Sequence, residues 1–212
     1  MTPKREKRFR DVINKRQKDL TVILEDVHDG HNISAILRTC DSIGVQEVYV
    51  IFTDDISYCK IAEGVSPLGK RSSGNALKWL DVHYFNTTEA CFEAVRQKYE
   101  YVFCTHLNEE AKSLYELDCT KSVALLFGNE RCGVSQTALS LSDGNFEIPQ
   151  IGLTQSLNVS VACAVSLYEA YRQREKAGMY ETCSLGETAA NELFAVWEEK
   201  SKKETKSKVK AV

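Results

Sequence analysis

Nowhere in these 212 residues is there a run of about eighteen apolar positions, so the sequence offers no helix to span a bilayer. The first residues, Met1 to Arg8, are charged and lack an apolar signal core, which argues against secretion and for a cytoplasmic protein. Eight cysteines occur without a single CxxC pair, several of them inside apolar runs (Cys40, Cys104, Cys163). That spacing reads as reduced thiols and excludes a zinc site. No GxGxxG turn follows the first strand-like segment, which argues against a dinucleotide-dependent oxidoreductase.

A positive balance is also missing: the net charge is −3. The distribution matters more than the sum. Residues 1–18 hold eight Lys/Arg against two acids, and residues 171–212 hold nine against seven. The interior holds ten against twenty-one. Basic ends on an acidic body can attract phosphate while the body does chemistry; residues 200–210 read more simply as a solubilising tail. An apolar content of 43% suits one good-sized domain with end extensions. The boundaries expected are a basic helical extension over 1–19, an α/β domain over 20–170, and a helical, Lys-rich extension over 171–212.

In residues 4–18, Phe9, Val12 and Ile13 form a narrow apolar stripe among Arg5, Arg8, Arg10, Lys15 and Arg16, predicting a docked helix with a basic outer face. Residues 20–24 read as a buried strand and 28–32 as a loop. Asn32 or Ser34 is expected to cap a helix through Arg38 to Ser42, ended by Gly44, before a strand over 47–52. Residues 53–75 show no period; 70–75 read as a basic loop. Further strands are expected at 80–85, 101–105 and 123–127, with helices over 89–99 (opened by Thr87 or Thr88) and 135–141. Alternating helices and continuously apolar strands imply a mostly parallel sheet covered on both faces.

Three stretches crowd polar side chains where a helix or turn should begin. In 148–162, Pro149 stops a strand, Gly152 permits a turn, and Ser156 or Asn158 can cap the helix that follows. There Val161, Ala162, Val165, Tyr168 or Glu169, and Arg172 recur on one face. In 31–38, an Asn and an Arg stand six residues apart. In 125–135, an apolar strand empties into the Gly-flanked turn around Glu130. These blocks resemble the three signature motifs of the SpoU (SPOUT-class) RNA 2′-O-methyltransferases. The text around them, from about residue 5 to 180, is similar to the TrmH-like branch that methylates guanosine-18 of tRNA. Three ordered motifs are far more specific than any one.

The resemblance implies a homodimer that acts on tRNA, with S-adenosylmethionine held largely by backbone groups in a C-terminal trefoil knot spanning about 123–170. Strand logic independently gathers Thr105, Gly128 and Ile148 at carboxyl strand ends, with Leu157 one loop later, as a ligand pocket. Arg38 corresponds to the family's catalytic Arg, proposed there as a general base. Because a guanidinium stays protonated, its role is better read as holding phosphate and stabilising a developing alkoxide, with phosphate or water taking the proton. Asn32 would orient Arg38 or the ribose, Glu130 would accept from guanidinium groups, and Ser156 and Asn158 would bind cofactor or substrate. His31, Arg8, Arg172 and Arg174 match RNA-contacting positions. Asp29-Gly30 stands where relatives commonly have Lys-Pro, removing a positive charge from that loop. The competing functions are a SpoU enzyme for another tRNA position or for ribosomal RNA, and an RNA-binding module without catalysis.

Overall fold

The computed structural model describes residues 1–54, 76–154 and 156–209; the basic-loop reading of 70–75 lies outside them. Among the described residues seven strands form one sheet: β1 (Leu20–Glu25), β2 (Glu47–Ile51), β3 (Asp81–Phe85), β4 (Tyr101–Thr105), β5 (Lys112–Ser113), β6 (Val123–Phe127) and β7 (Gly144–Glu147). Their order is β3-β2-β1-β6-β4-β7-β5, and every pairing is parallel. The carboxyl ends of all the strands therefore share one edge.

The helices, in chain order, are α1 (Pro3–Ile13), α2 (Gly30–Ile43), α3 (Thr88–Arg96), α4 (Gln136–Leu141), α5 (Val159–Lys176) and α6 (Glu187–Val209). β1 and β6 lie at the centre of the sheet and are buried along their whole length. Alternation sends Val22, Leu24, Leu125 and Phe127 to one face, against α2 and α5. Ile23, Ala124 and Leu126 go to the other face, against α3 and α4. The two-faced covering explains why the strands read as unbroken apolar runs.

α1 and α6 pack together through Phe9, Ile13 and Trp197, with Trp79 against the same cluster. Arg16 does not join the basic outer face expected of it. It is fully buried, donating to Val45 O at 2.8 Å and Asp41 Oδ1 at 2.5 Å, with its guanidinium 5.1 Å from the Trp197 ring. Two acceptors and a π-face converge there from separate parts of the chain, which offsets the cost of burying the cation.

Helix starts follow short polar acceptors. Thr87 and Asn158, each one of two candidates, cap α3 and α5, and Ser135, expected as the first residue of its helix, caps α4 instead. For α2 the cap is neither Asn32 nor Ser34. Asp29 accepts from His31 N at 2.8 Å, starting the helix at Gly30, and Gly44 closes it in the left-handed region at φ 92°. Asn32 thereby lies inside the first turn, with its amide free for other work. On α5, the side facing the sheet carries Val159, Cys163, Leu167 and Ala170; Val161 and Tyr168, from the stripe selected by periodicity, point to solvent. The helix is apolar on two sides.

Candidate active site

The loops after β4, β6 and β7 and the start of α5 enclose one cavity of about 330 Å³. Thr105, Gly128, Ile148 and Leu157 all line it, beside Phe127, Phe146, Val159 and Ala162. Two carboxylate residues, Glu130 and Glu147, stand at its wall, and among the described residues no Lys or Arg does. An apolar slot of this size, edged with negative charge, suits a small ligand that is part aromatic and part cationic.

Gly128 shapes the wall. The turn after it closes on itself through Asn129 N to Gly133 O at 3.0 Å and Gly133 N to Asn129 O at 2.8 Å. A Cβ at Gly128 would lie 2.3 Å from Gly133 O, so only glycine permits the turn to fold this tightly. Its exit is Ser135, the cap of α4.

At the mouth, the three motif stretches meet side chain to side chain. Asn32 Nδ2 donates to Glu130 Oε1 at 2.6 Å, and Asn158 Nδ2 donates to Asn32 Oδ1 at 3.1 Å. Partners 98 and 126 positions away in sequence thus share one amide. Ser156 lines the cavity wall and is exposed. Asn32 bonds to Glu130 and Asn158 rather than to Arg38, so it does not orient that side chain directly.

Arg38 is exposed and, among the described residues, has no hydrogen-bond or ion-pair partner. His31 and Arg38, seven residues apart, fall on one exposed stripe of α2 with Ala35 between them. Such a guanidinium is available to an anion from outside.

The four expected RNA-contacting residues divide. Arg8 and His31 are exposed. Arg172 is exposed too, but its fork grips Glu169 at 2.8 and 2.7 Å and holds that carboxyl below the usual range. Arg174 does not reach solvent at all. Its guanidinium is fully buried, donating to Cys119 O, Asp19 O and Lys121 O at 2.7–3.0 Å, to Gln17 Oε1 at 3.1 Å, and to Asp19 Oδ1 at 2.5 Å. It ties the end of α5 to the starts of β1 and β6, so the expected phosphate contact is withdrawn. Arg174→Ala should cost about 3 kcal/mol, the scale for breaking a buried ion pair. Thermal unfolding should show a fall of roughly 6–12 °C in a chain of this size, with the salt dependence of RNA binding unchanged.

The ordered motifs and the cavity they enclose belong to a known pattern. Residues 19–168 match the SpoU rRNA Methylase family. The chain belongs to that family. It is 42% identical over 196 residues to the tRNA (guanosine(18)-2′-O)-methyltransferase of Thermus thermophilus, covering 92% of this chain and 96% of that one. Among solved structures, the TrmH/SpoU tRNA modifying enzyme of Aquifex aeolicus superposes with a TM-score of 0.81 at 37% identity, over 93% and 96% of the two chains. An AdoMet-bound rRNA methyltransferase from Sinorhizobium meliloti gives 0.61 at 29% identity, over 77% and 59%. SpoU methyltransferases use S-adenosylmethionine, and membership implies a knotted C-terminal part.

Sequence reasoning missed Asn129, which organises the SpoU turn. Its Oδ1 accepts from Arg131 N at 2.8 Å and Cys132 N at 3.2 Å, and its Nδ2 donates to Asp26 O at 2.8 Å. An Asn directly after a strand-ending Gly is the signal that was there to use. Asp26, His28 and Asp54 also bring three potential ligand atoms within 4.8 Å of one another, but Asp26 already accepts from Thr53 N and Oγ1. Among the described residues the seven cysteines are free, and burial pushes Cys91 up to about 12 and Cys119 to about 11, keeping both as inert thiols.

Proposed function

We propose that this chain transfers the methyl group of S-adenosylmethionine to the ribose 2′-hydroxyl of guanosine-18 in the tRNA D-loop, as a homodimer and without a metal. The observation that carries the reading is the Asn158–Asn32–Glu130 chain of hydrogen bonds at the mouth of the cavity, with the exposed Arg38 on the same helix as Asn32. The named relatives supply the target nucleoside.

When bound, S-adenosylmethionine supplies an electrophilic methyl on a sulfonium that departs as a neutral thioether. The apolar wall of Phe127, Phe146, Ile148 and Leu157 accepts its uncharged parts, and the carboxylates of Glu130 and Glu147 favour a cation that a lysine there would repel. The harder task lies at the acceptor, because a ribose hydroxyl is a very weak acid. Arg38 holds an RNA phosphate and stabilises negative charge growing on the 2′-oxygen, while the proton passes to phosphate or water. Asn32, fixed from both sides, and Ser156 position the ribose. Arg8, His31 and Arg172 meet the tRNA backbone and loop, with the terminal extensions 1–19 and 171–212 as the RNA-facing parts. A tRNA substrate places the work in the cytoplasm; among the described residues no helix is long and apolar enough to cross a membrane.

The exposed apolar side of α5 supports the dimer. Val161 and Tyr168 are 47% and 54% exposed on a helix whose opposite side is already buried, and Ala164, half-buried between them, would let a second copy approach closely. Tyr168→Asp should shift sedimentation to monomer and abolish activity; an active monomer would end this part of the account. The function itself is tested by methyl transfer, in the presence of a chelator, to tRNA transcripts and to ribosomal RNA fragments. Transfer to tRNA is expected. Transfer to ribosomal fragments alone would move the enzyme to the other arm of its family.

A further inference from the structure

We propose that Glu25, the last residue of β1, is a positioning residue for methyl transfer: with Asp26 it clamps the turn that carries Glu130. The inference rests on the reading of Glu130 and Asn32 as parts of the active site.

Glu25 is only 2% exposed at the end of a strand otherwise made of apolar residues and one Thr. A buried carboxylate is costly unless its oxygens are satisfied. Here Oε2 accepts from Ser135 N at 2.8 Å, and Oε1 accepts from Ser135 Oγ at 2.8 Å and Thr88 Oγ1 at 2.7 Å. Every one of these donors is neutral. The site therefore asks for an acceptor on both oxygens, which a carboxylate provides and an amide cannot.

What Glu25 holds is the far end of the Gly128 turn. Ser135 is the residue at which the turn becomes α4, and its Oγ also accepts from Ala138 N at 3.0 Å. The near end is held by the residue that follows β1. Asp26 has φ 51°, the single non-glycine residue with positive φ among the described residues, and offers its carbonyl to Asn129 Nδ2 at 2.8 Å. Two consecutive residues thus fix positions 129 and 135, and Glu130 lies between them. Glu130 is exposed, and its 2.6 Å bond to Asn32 depends on where the turn puts it. Glu25 does not line the cavity and acts only through the turn.

The test compares Glu25→Gln with the wild-type full-length protein by hydrogen exchange of the 129–134 amides and by single-turnover methyl transfer at saturating tRNA and S-adenosylmethionine. Each is repeated in a Glu130→Gln background. In Glu25→Gln the new amide nitrogen would face a donor, so the turn should exchange faster and the rate should fall about tenfold, the scale of a lost hydrogen bond to a charged group. In the Glu130→Gln background, Glu25→Gln should change the rate less than about twofold, because residues acting through one another are not additive. Equal losses in both backgrounds, an unchanged rate, or unchanged exchange would each overturn the proposal. If Glu25→Gln does not fold, Thr88→Val removes one of the three bonds while leaving the Ser135 cap of α4 in place, and is read by the same criteria. A wild type that methylates no RNA would sink the functional reading, and the exchange of the turn alone would then decide the clamp.

Discussion

Arg38→Ala is expected to lower the single-turnover rate of methyl transfer by about a hundredfold or more, the scale of a lost oxyanion stabiliser. The residue is exposed, carries no partner among the described residues, and lies further along α2 from the Asn32 junction. Its charge is therefore not spent on holding the fold, and its removal should leave the melting temperature nearly unchanged. Arg38→Lys should recover little, since an ammonium keeps the charge but loses the planar two-pronged contact with phosphate. Cofactor affinity should barely move, because Arg38 does not line the cavity. A rate near wild type for Arg38→Ala at saturating tRNA and cofactor would put the chemistry on another residue.

Gly128→Ala should strike the opposite half of the reaction. The added methyl would meet backbone: Gly133 O at 2.3 Å, Gly133 C at 2.4 Å and Val134 N at 2.5 Å. No side chain can swing away to relieve these contacts, so the turn itself must open, moving Asn129 and Glu130 from the cavity wall. Overpacking of this kind costs about 1–3 kcal/mol, and calorimetry should find S-adenosylmethionine bound at least about tenfold more weakly. Gly133→Ala is the control. Its Cβ would meet nothing within 4 Å, so only the strain of φ 70° remains and the loss should be smaller. Equal affinity for Gly128→Ala and wild type would remove this turn from the cofactor site.

These two residues were legible in the sequence for different reasons. Gly128 follows a strand whose five residues are all buried, so the apolar run and its abrupt end mark both strand and turn. Arg38 was found by resemblance; helical spacing places it on α2 but does not say what the guanidinium meets. The caps Thr87 and Asn158 were visible, each as one of two candidates, because a short acceptor stands at the point where each helical pattern begins. Before α2, Asp29, Asn32 and Ser34 compete within six residues, and Asn32 is drawn to Glu130 and Asn158, which hold it from far along the chain.

Arg16 and Arg174 show where local reading fails. Both stand in basic end regions where an arginine ordinarily faces water. Their burial is decided by carbonyls at Val45, Asp19, Cys119 and Lys121 that converge only in the folded chain. α5 fails for a related reason: a helix apolar on two sides gives a periodicity that cannot say which side meets the sheet. β5, two residues long, is too short to leave any periodic signal.

Methylation of guanosine-18 is tested most directly by a map of 2′-O-methyl groups on bulk tRNA that lacks this modification, after incubation with the full chain and S-adenosylmethionine. One new methyl group is expected, on the ribose of guanosine-18, and it should be absent when Arg38→Ala replaces the wild type. A methyl group at another position, or none on any tRNA, would contradict this expectation.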